Sequence, residues 1–294
     1  MGIPSISLRL LLLSSVVLAF STPAVQADPL PDKPFFEEPF LFGVHRSGAK
    51  WRPESTLKTF QEAAKTWPGI LLESDCRMTS DGVVVLLHDA TVDRTTNGEG
   101  AIADLTWDHV QTLDAGHNFS ADGGKTFPYR GKGYRISRLE DVLNALPESR
   151  FLIEFKDQPG IADAAVHVMQ QAGAIDRLLV ASFNPSLMKT AKSLEPRLAT
   201  CFDAGTVPKL VATLRNGDWT NYTPAADAFI LNYKRIERYG ITQADFPRLQ
   251  AKGIPIIVYT LNDPAVIRKA IAEGVNGILT DRPDVMSEVT QEER

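Results

Sequence analysis

From Leu41 onward, short apolar runs alternate with segments whose apolar positions recur three and four residues apart. The strand-like runs are Leu41 to Val44, Ile70 to Asp75, Phe151 to Lys156, Leu178 to Ser182, Leu198 to Phe202, Ala228 to Asn232, Pro255 to Thr260 and Gly277 to Thr280. Helical periodicity falls between them, over Ser55 to Thr66, Ile161 to Ala172, Pro185 to Leu194, Thr242 to Lys252 and Pro264 to Glu273. Pro185 and Pro264 suit first-turn positions, and Gly173, Gly253 and Gly274 sit where helices end. Strand and helix in strict alternation predict a parallel α/β fold. Eight such units in roughly 250 residues have the size of a TIM (β/α)8 barrel, whose active site is assembled at the carboxyl ends of its strands.

One interval breaks the rhythm. Between the second strand and a helix near Leu139 to Ala145, residues 77–137 carry a short strand, Val83 to Leu87, and then a glycine-rich segment dotted with aromatics around Asn118 to Tyr134. A loop of this length is usually functional, so it predicts a small insertion over the barrel mouth.

Composition changes the picture mainly at the amino end. The chain has 294 residues, 44% hydrophobic and 23% charged, which is ordinary for a globular protein with a sizeable core. Residues 1–27 differ: Arg9 precedes an apolar run from Leu10 to Phe20, and Ala24-Val25-Gln26-Ala27 supplies small residues for cleavage. That pattern predicts a secretory signal peptide and an exported protein, periplasmic or secreted. A spanning helix wants about 20 apolar residues, so no stable membrane span is expected. Residues 28–40, rich in proline and acids, read as a tail leading into a domain over 41–294. A formal charge of −5 with no basic block disfavours nucleic-acid partners. Cys76 and Cys201 are expected as two buried free thiols, with a disulfide as the alternative.

Candidate chemistry gathers at the predicted strand ends. Glu73 and Asp75, two apart on one strand, share a face with Leu71. Neighbouring buried acids repel and resist desolvation unless a cation joins them, and a metal ion is the simplest such cation. His45 and His88 end two apolar runs and are each followed by a charged residue. Glu154 and Lys156 read either as an ion pair on one strand face or as site residues. Glu54 opens a helix, where an acid complements the dipole or bonds a group of the site. Tyr259 and Asn262, at the seventh strand's end, are expected to line a pocket. Phe183, Phe127 and Tyr129 read equally as an apolar wall or as packing.

These residues fall into a recognisable pattern. His45-Arg46 followed by Pro53, Glu54 and Thr56, the strand Glu73-x-Asp75, the turn Thr79-x-Asp81-Gly82, the pair His88-Asp89 and the run Asp93 to Gly98 together resemble the glycerophosphodiester phosphodiesterase family. Ile153 to Lys156 and Gly274 to Asp284 resemble that family's third acidic strand and closing turn. Three positions depart from it: Ser47 where the family usually has Gly, Ser55 for the usual Asn, and Tyr259 for the common Trp.

The resemblance implies a phosphoric diester hydrolase that releases sn-glycerol 3-phosphate and an alcohol from a small glycerophosphodiester. Glu73, Asp75 and Glu154 would then supply an all-oxygen ligand set for a divalent cation, Ca²⁺ or Mg²⁺. His45 and His88 would divide acid and base work, and Arg46 and Lys156 would hold phosphate oxygens. Glu54, Tyr259 and Asn262 complete the expected substrate side. Two other readings share these residues: lysophospholipase D-like cleavage of an acylated diester, and a phosphodiester-binding protein without turnover.

Overall fold

The computed structural model describes residues 32–36 and 41–292. The expected signal peptide lies outside the described residues, as does most of the tail. Eight parallel strands form the frame: β1 Leu41–Val44, β2 Leu71–Met78, β5 Phe151–Phe155, β6 Leu178–Ala181, β7 Ala199–Thr200, β8 Phe229–Asn232, β9 Ile256–Tyr259 and β10 Gly277–Thr280. They pair in the order β7-β6-β5-β2-β1-β10-β9-β8. A parallel bridge between Cys201 and Ala228 joins the two ends, so the sheet closes into the expected barrel. This seam is thin, because β7 is only two residues long.

Helices α1 Leu57–Thr66, α3 Leu139–Ala145, α4 Ile161–Gln171, α5 Pro185–Leu194, α6 Val207–Asn216, α7 Phe246–Gln250, α8 Pro264–Ala272 and α9 Pro283–Glu292 surround it. Strand residues alternate between the helix layer and the barrel interior. Leu72, Cys76, Ile153 and Val180 pack outward against α1, α3 and α4, while Leu71, Leu152, Leu179, Ile257 and Leu279 meet inside. Each such side chain contributes roughly 1.5–3 kcal/mol by leaving water. At Gly43 an added Cβ would press on the Leu279 side chain across the β1–β10 pair. Cys76 and Cys201 are both free and buried, and burial pushes both thiols up.

Three local details differ from the periodic pattern. Helix α1 starts at Leu57, two residues after its predicted start, because Ser55 has a left-handed φ of 55° and Thr56 serves as the cap. The stretch from Thr242 splits into a 3-10 turn, Gln243–Asp245, and the short α7, since Asp245 turns its carboxylate back onto the Thr242 backbone N–H. The tail enters the core: Phe35 and Phe36, 1% and 3% exposed, cap the amino end of the barrel interior. Arg150 donates to the Phe35 carbonyl and Lys33 to the Leu198 carbonyl, which fix this plug to the strand starts.

The insertion holds β3 Val84–Leu86, antiparallel to β2, and β4 Ser137–Arg138, antiparallel to β3. With the short α2 Trp107–Val110 it builds its own apolar cluster around Val85, Val92, Ile102, Leu113 and Ile136. Among the described residues no helix is long and apolar enough to cross a membrane.

Candidate functional site

Every site residue expected at a strand end except His88 lies at the carboxyl mouth of the barrel, and His88 is brought there by the insertion. Register aligns Asp75 of β2 with Glu154 of β5, so the three acids sit on two adjacent strands. Glu73 and Asp75 are 4% and 2% exposed. Burial pushes the Glu73 carboxyl up to about 7, the nearby His45 opposes this, and the Asp75 charge adds to it. Burial also raises Glu154, against the pull of Lys156.

Two cations answer these acids. Lys156 Nζ lies 2.6 Å from Asp75 Oδ1 and 2.7 Å from Glu154 Oε1. Burial opposes its charge, yet the two acids keep its pKa above the ordinary value. Arg46 has φ 51°, a left-handed turn that aims its backbone N–H at Glu73 Oε2, 2.6 Å away. Its Nε stands 3.5 Å from Asp75 Oδ2, and neither atom has a hydrogen-bond partner although both are buried.

The same turn explains two departures from the family pattern. Ser47 and Ser55 have φ of 59° and 55°, backbone that suits the Gly and Asn usual at those positions. Here a buried hydroxyl chain offsets the strain: Ser74 donates to Ser55 Oγ, and the Ser55 backbone N–H donates to Ser47 Oγ.

Each histidine is anchored through Nδ1 on a carboxylate, which leaves Nε2 for substrate. His45 Nδ1 is 2.7 Å from Asp281 Oδ1 at the end of β10. Burial lowers the His45 pKa, but Glu73 and the Asp281 hydrogen bond outweigh it and the net shift is upward. Asn262 donates to Asp281 Oδ2 and accepts from the Asp281 backbone N–H, at 2.9 and 2.8 Å. Its amide therefore steadies the partner of His45. On the other flank, His88 Nδ1 is 2.7 Å from Asp89 Oδ1. Arg94, from the insertion, bonds Asp89 and grips both Glu54 oxygens at 2.9 and 2.7 Å. Glu54 thus spends its carboxylate on Arg94, with Arg46 at 3.6 Å.

The sequence pattern holds Asp281, Asp89 and Arg94 but does not reveal their part in anchoring the imidazoles. Asp281 and His45 are 236 positions apart, so only closure of β10 onto β1 reveals their bond. Tyr259 lines the pocket as expected and hydrogen-bonds Tyr239, with burial raising its pKa. Phe183 borders the same pocket, whereas Tyr129 packs inside the insertion against Phe119 and Tyr134, and Phe127 stacks under Arg130. Among the described residues no three His, Cys, Asp or Glu side chains already stand close enough to hold a metal ion, because Lys156 separates Asp75 from Glu154.

Buried acids, two cations and two anchored imidazoles at one barrel mouth suit a bound anion. Residues 45–285 match the model of the Glycerophosphoryl diester phosphodiesterase family, and the chain belongs to that family. A glycerophosphodiester phosphodiesterase of Caldanaerobacter subterraneus subsp. tengcongensis is 28% identical over 83% of this chain and 94% of its own. YhdW of Bacillus subtilis is 31% identical over 82% of this chain and 94% of its own. Among solved structures, a glycerophosphodiester phosphodiesterase from Agrobacterium tumefaciens superposes with TM-score 0.66 at 26% identity, covering 85% of this chain and 99% of that one. An Oleispira antarctica phosphodiesterase, solved with the product sn-glycerol-3-phosphate, superposes with TM-score 0.69 at 21% identity over 85% and 96%.

Proposed function

We propose that this chain hydrolyses glycerophosphodiesters to sn-glycerol 3-phosphate and an alcohol, with His45 and His88 exchanging the protons. The supporting observation is the matched anchoring of the two imidazoles, each on a carboxylate, beside the acid and cation cluster. The His45 charge acts on Glu73 and that of His88 on Glu154, so each imidazole stands near an acid of the cluster.

The residues fit a divalent cation. Asp75 Oδ2 is buried without a partner, and Glu73 is held from ionising by burial beside Asp75. A cation bound by Glu73, Asp75 and Glu154 would relieve both, and all-oxygen donors suit Ca²⁺ or Mg²⁺. When bound, it supplies Lewis acidity toward a phosphoryl oxygen. For that, Lys156 must leave the gap between Asp75 and Glu154, which frees its ammonium for the phosphate.

Arg46 is preset for the same anion, since its buried Nε has a donor to give. Charge that builds on the non-bridging oxygens during cleavage is stabilised by Arg46 and Lys156. One imidazole takes a proton from the attacking hydroxyl and the other returns one to the departing oxygen.

A panel of glycerophosphocholine and glycerophosphoethanolamine, run with Ca²⁺, Mg²⁺ or chelator on wild type beside His88→Ala, tests this reading. Turnover that chelation stops and His88→Ala nearly abolishes is expected. Inactivity on every diester with either ion would refute it.

A further inference from the structure

We propose that Ser47, Ser55 and Ser74 are positioning residues, whose linked hydroxyls hold Arg46 in the backbone turn from which its guanidinium meets a bound phosphate. The proposal rests on the anion-holding role given to Arg46 above and adds to it three residues that take no part in the proton transfers.

Arg46 is placed by its backbone. Its N–H donates to Glu73 Oε2 at 2.6 Å, while its carbonyl accepts from the Ser55 N–H at 3.0 Å and from Ser47 Oγ at 2.6 Å. One end of the residue is thus tied to the strand that carries the acids, and the other to two serines. Arg46, Ser47 and Ser55 have φ of 51°, 59° and 55°, where a Cβ crowds the backbone. Three such residues within ten positions persist only when their surroundings over-determine them.

The hydroxyls supply that constraint. Ser47 Oγ, besides its bond to the Arg46 carbonyl, accepts from the Ser55 N–H at 3.1 Å, and Ser74 donates to Ser55 Oγ at 2.9 Å. Ser74 lies between Glu73 and Asp75 on β2, so strand alternation turns it to the face opposite the two acids. The turn is therefore fastened to both faces of one strand: through Glu73 on one side and through Ser74 on the other. All three serines are 3% exposed or less, so water cannot replace a lost partner. What the turn delivers is a buried Nε without a hydrogen bond, 3.5 Å from Asp75 Oδ2. A small rotation of the turn would carry that free donor away from the mouth.

The device predicts an unusual order of substitutions at Ser47. Alanine removes the hydroxyl and keeps the strained Cβ, whereas glycine removes both together. Glycine should therefore serve where alanine fails.

The test compares Ser47→Ala, Ser47→Gly and Ser74→Ala, each alone and combined with Arg46→Ala, in Mg²⁺. It reads the Kd of inorganic phosphate by calorimetry, kcat/KM for glycerophosphocholine, and Tm. Ser47→Ala should weaken phosphate binding by roughly tenfold and Ser74→Ala by roughly two- to tenfold, the worth of one or two hydrogen bonds. Ser47→Gly should restore most of that loss. With Arg46→Ala already present, none of the three should weaken phosphate or lower kcat/KM further. Should Ser47→Ala fail to fold, Ser74→Ala leaves every strained residue in place and carries the same comparison. Losses that persist without Arg46, or equal losses in the alanine and glycine variants, would make the serines a folding feature only and overturn the proposal. So would wild type that binds no phosphate. Phosphate binding is read without turnover: a protein that cleaves no diester yet shows this coupling loses the hydrolytic reading alone, and one that turns over without the coupling loses the positioning device alone.

Discussion

The two histidine flanks solve one problem with different materials. His45 stands on the barrel itself, its carboxylate partner comes from the end of the adjacent strand β10, and Asn262, itself held by Thr280, braces that partner. His88 stands on the insertion, its partner is the next residue along the chain, and Arg94 ties the pair to Glu54. Side-chain exposure follows: 17% for His45 against 33% for His88. One imidazole is fixed by sheet closure and the other by a surface ion-pair clamp. The mouth therefore has a more buried half and a more exposed half.

The largest effects should come from the imidazoles. His45→Ala and His88→Ala are each expected to lower kcat by ~10²- to 10⁴-fold with the fold intact. Near-normal turnover in either variant, measured beside an unchanged circular dichroism spectrum, would break the symmetry drawn between the flanks. Next come the anchors. Asp281→Asn should cost roughly 10²-fold, the scale of a small misplacement in the reacting geometry. Asp89→Asn should cost less, since the more exposed His88 has solvent as an alternative partner. An equal loss in both would show that rigidity of the flank does not matter.

Arg94→Ala sharpens the contrast further. Turnover should fall by roughly tenfold, about 1.4 kcal/mol of lost ordering, and the pH profile of kcat/KM should change shape. Thermal stability should barely move, because half-exposed ion pairs are worth ~0–1 kcal/mol. Arg94→Lys should not restore the rate, since a lysine cannot fork across Glu54 and Asp89 together.

The smallest effect is on stability and concerns the acids between the flanks. Glu73 ionises near pH 7 in the folded chain against an ordinary 4.5, so the unfolded chain gives up this proton first. Stability without a cation is then lost as pH rises from about 4.5 to about 7. Glu73→Gln removes that loss while keeping an oxygen for the Arg46 backbone N–H. In chelator at pH 8 its Tm should exceed wild type, by roughly 2–4 °C for each kcal/mol regained, with the gain vanishing below pH 4.5. Added divalent cation should reverse the order. A lower Tm for Glu73→Gln in chelator would contradict the burial argument.

Much of this could be read from the residues. Strands buried on both faces are continuous apolar runs, and helices carry their periodicity openly, so the barrel frame was visible. Glu73 and Asp75 were placed on one inward face by strand alternation alone. What stayed hidden depends on closure of the sheet. The bond of His45 to Asp281 needs β10 beside β1, and the place of Lys156 between Asp75 and Glu154 needs β5 beside β2. The grip of Arg94 on Glu54 spans 40 positions and needs the insertion folded over the mouth.

Phe35 and Phe36 set the practical limit of the folding unit. They floor the barrel from a segment ten residues upstream of His45, where the family match begins. Expression clones cut at the match would uncover Leu71, Leu152 and Leu179 from below, a loss of about 3–5 kcal/mol for each phenylalanine removed. Engineered truncations should keep everything from Asp32 on, and affinity tags belong upstream of it.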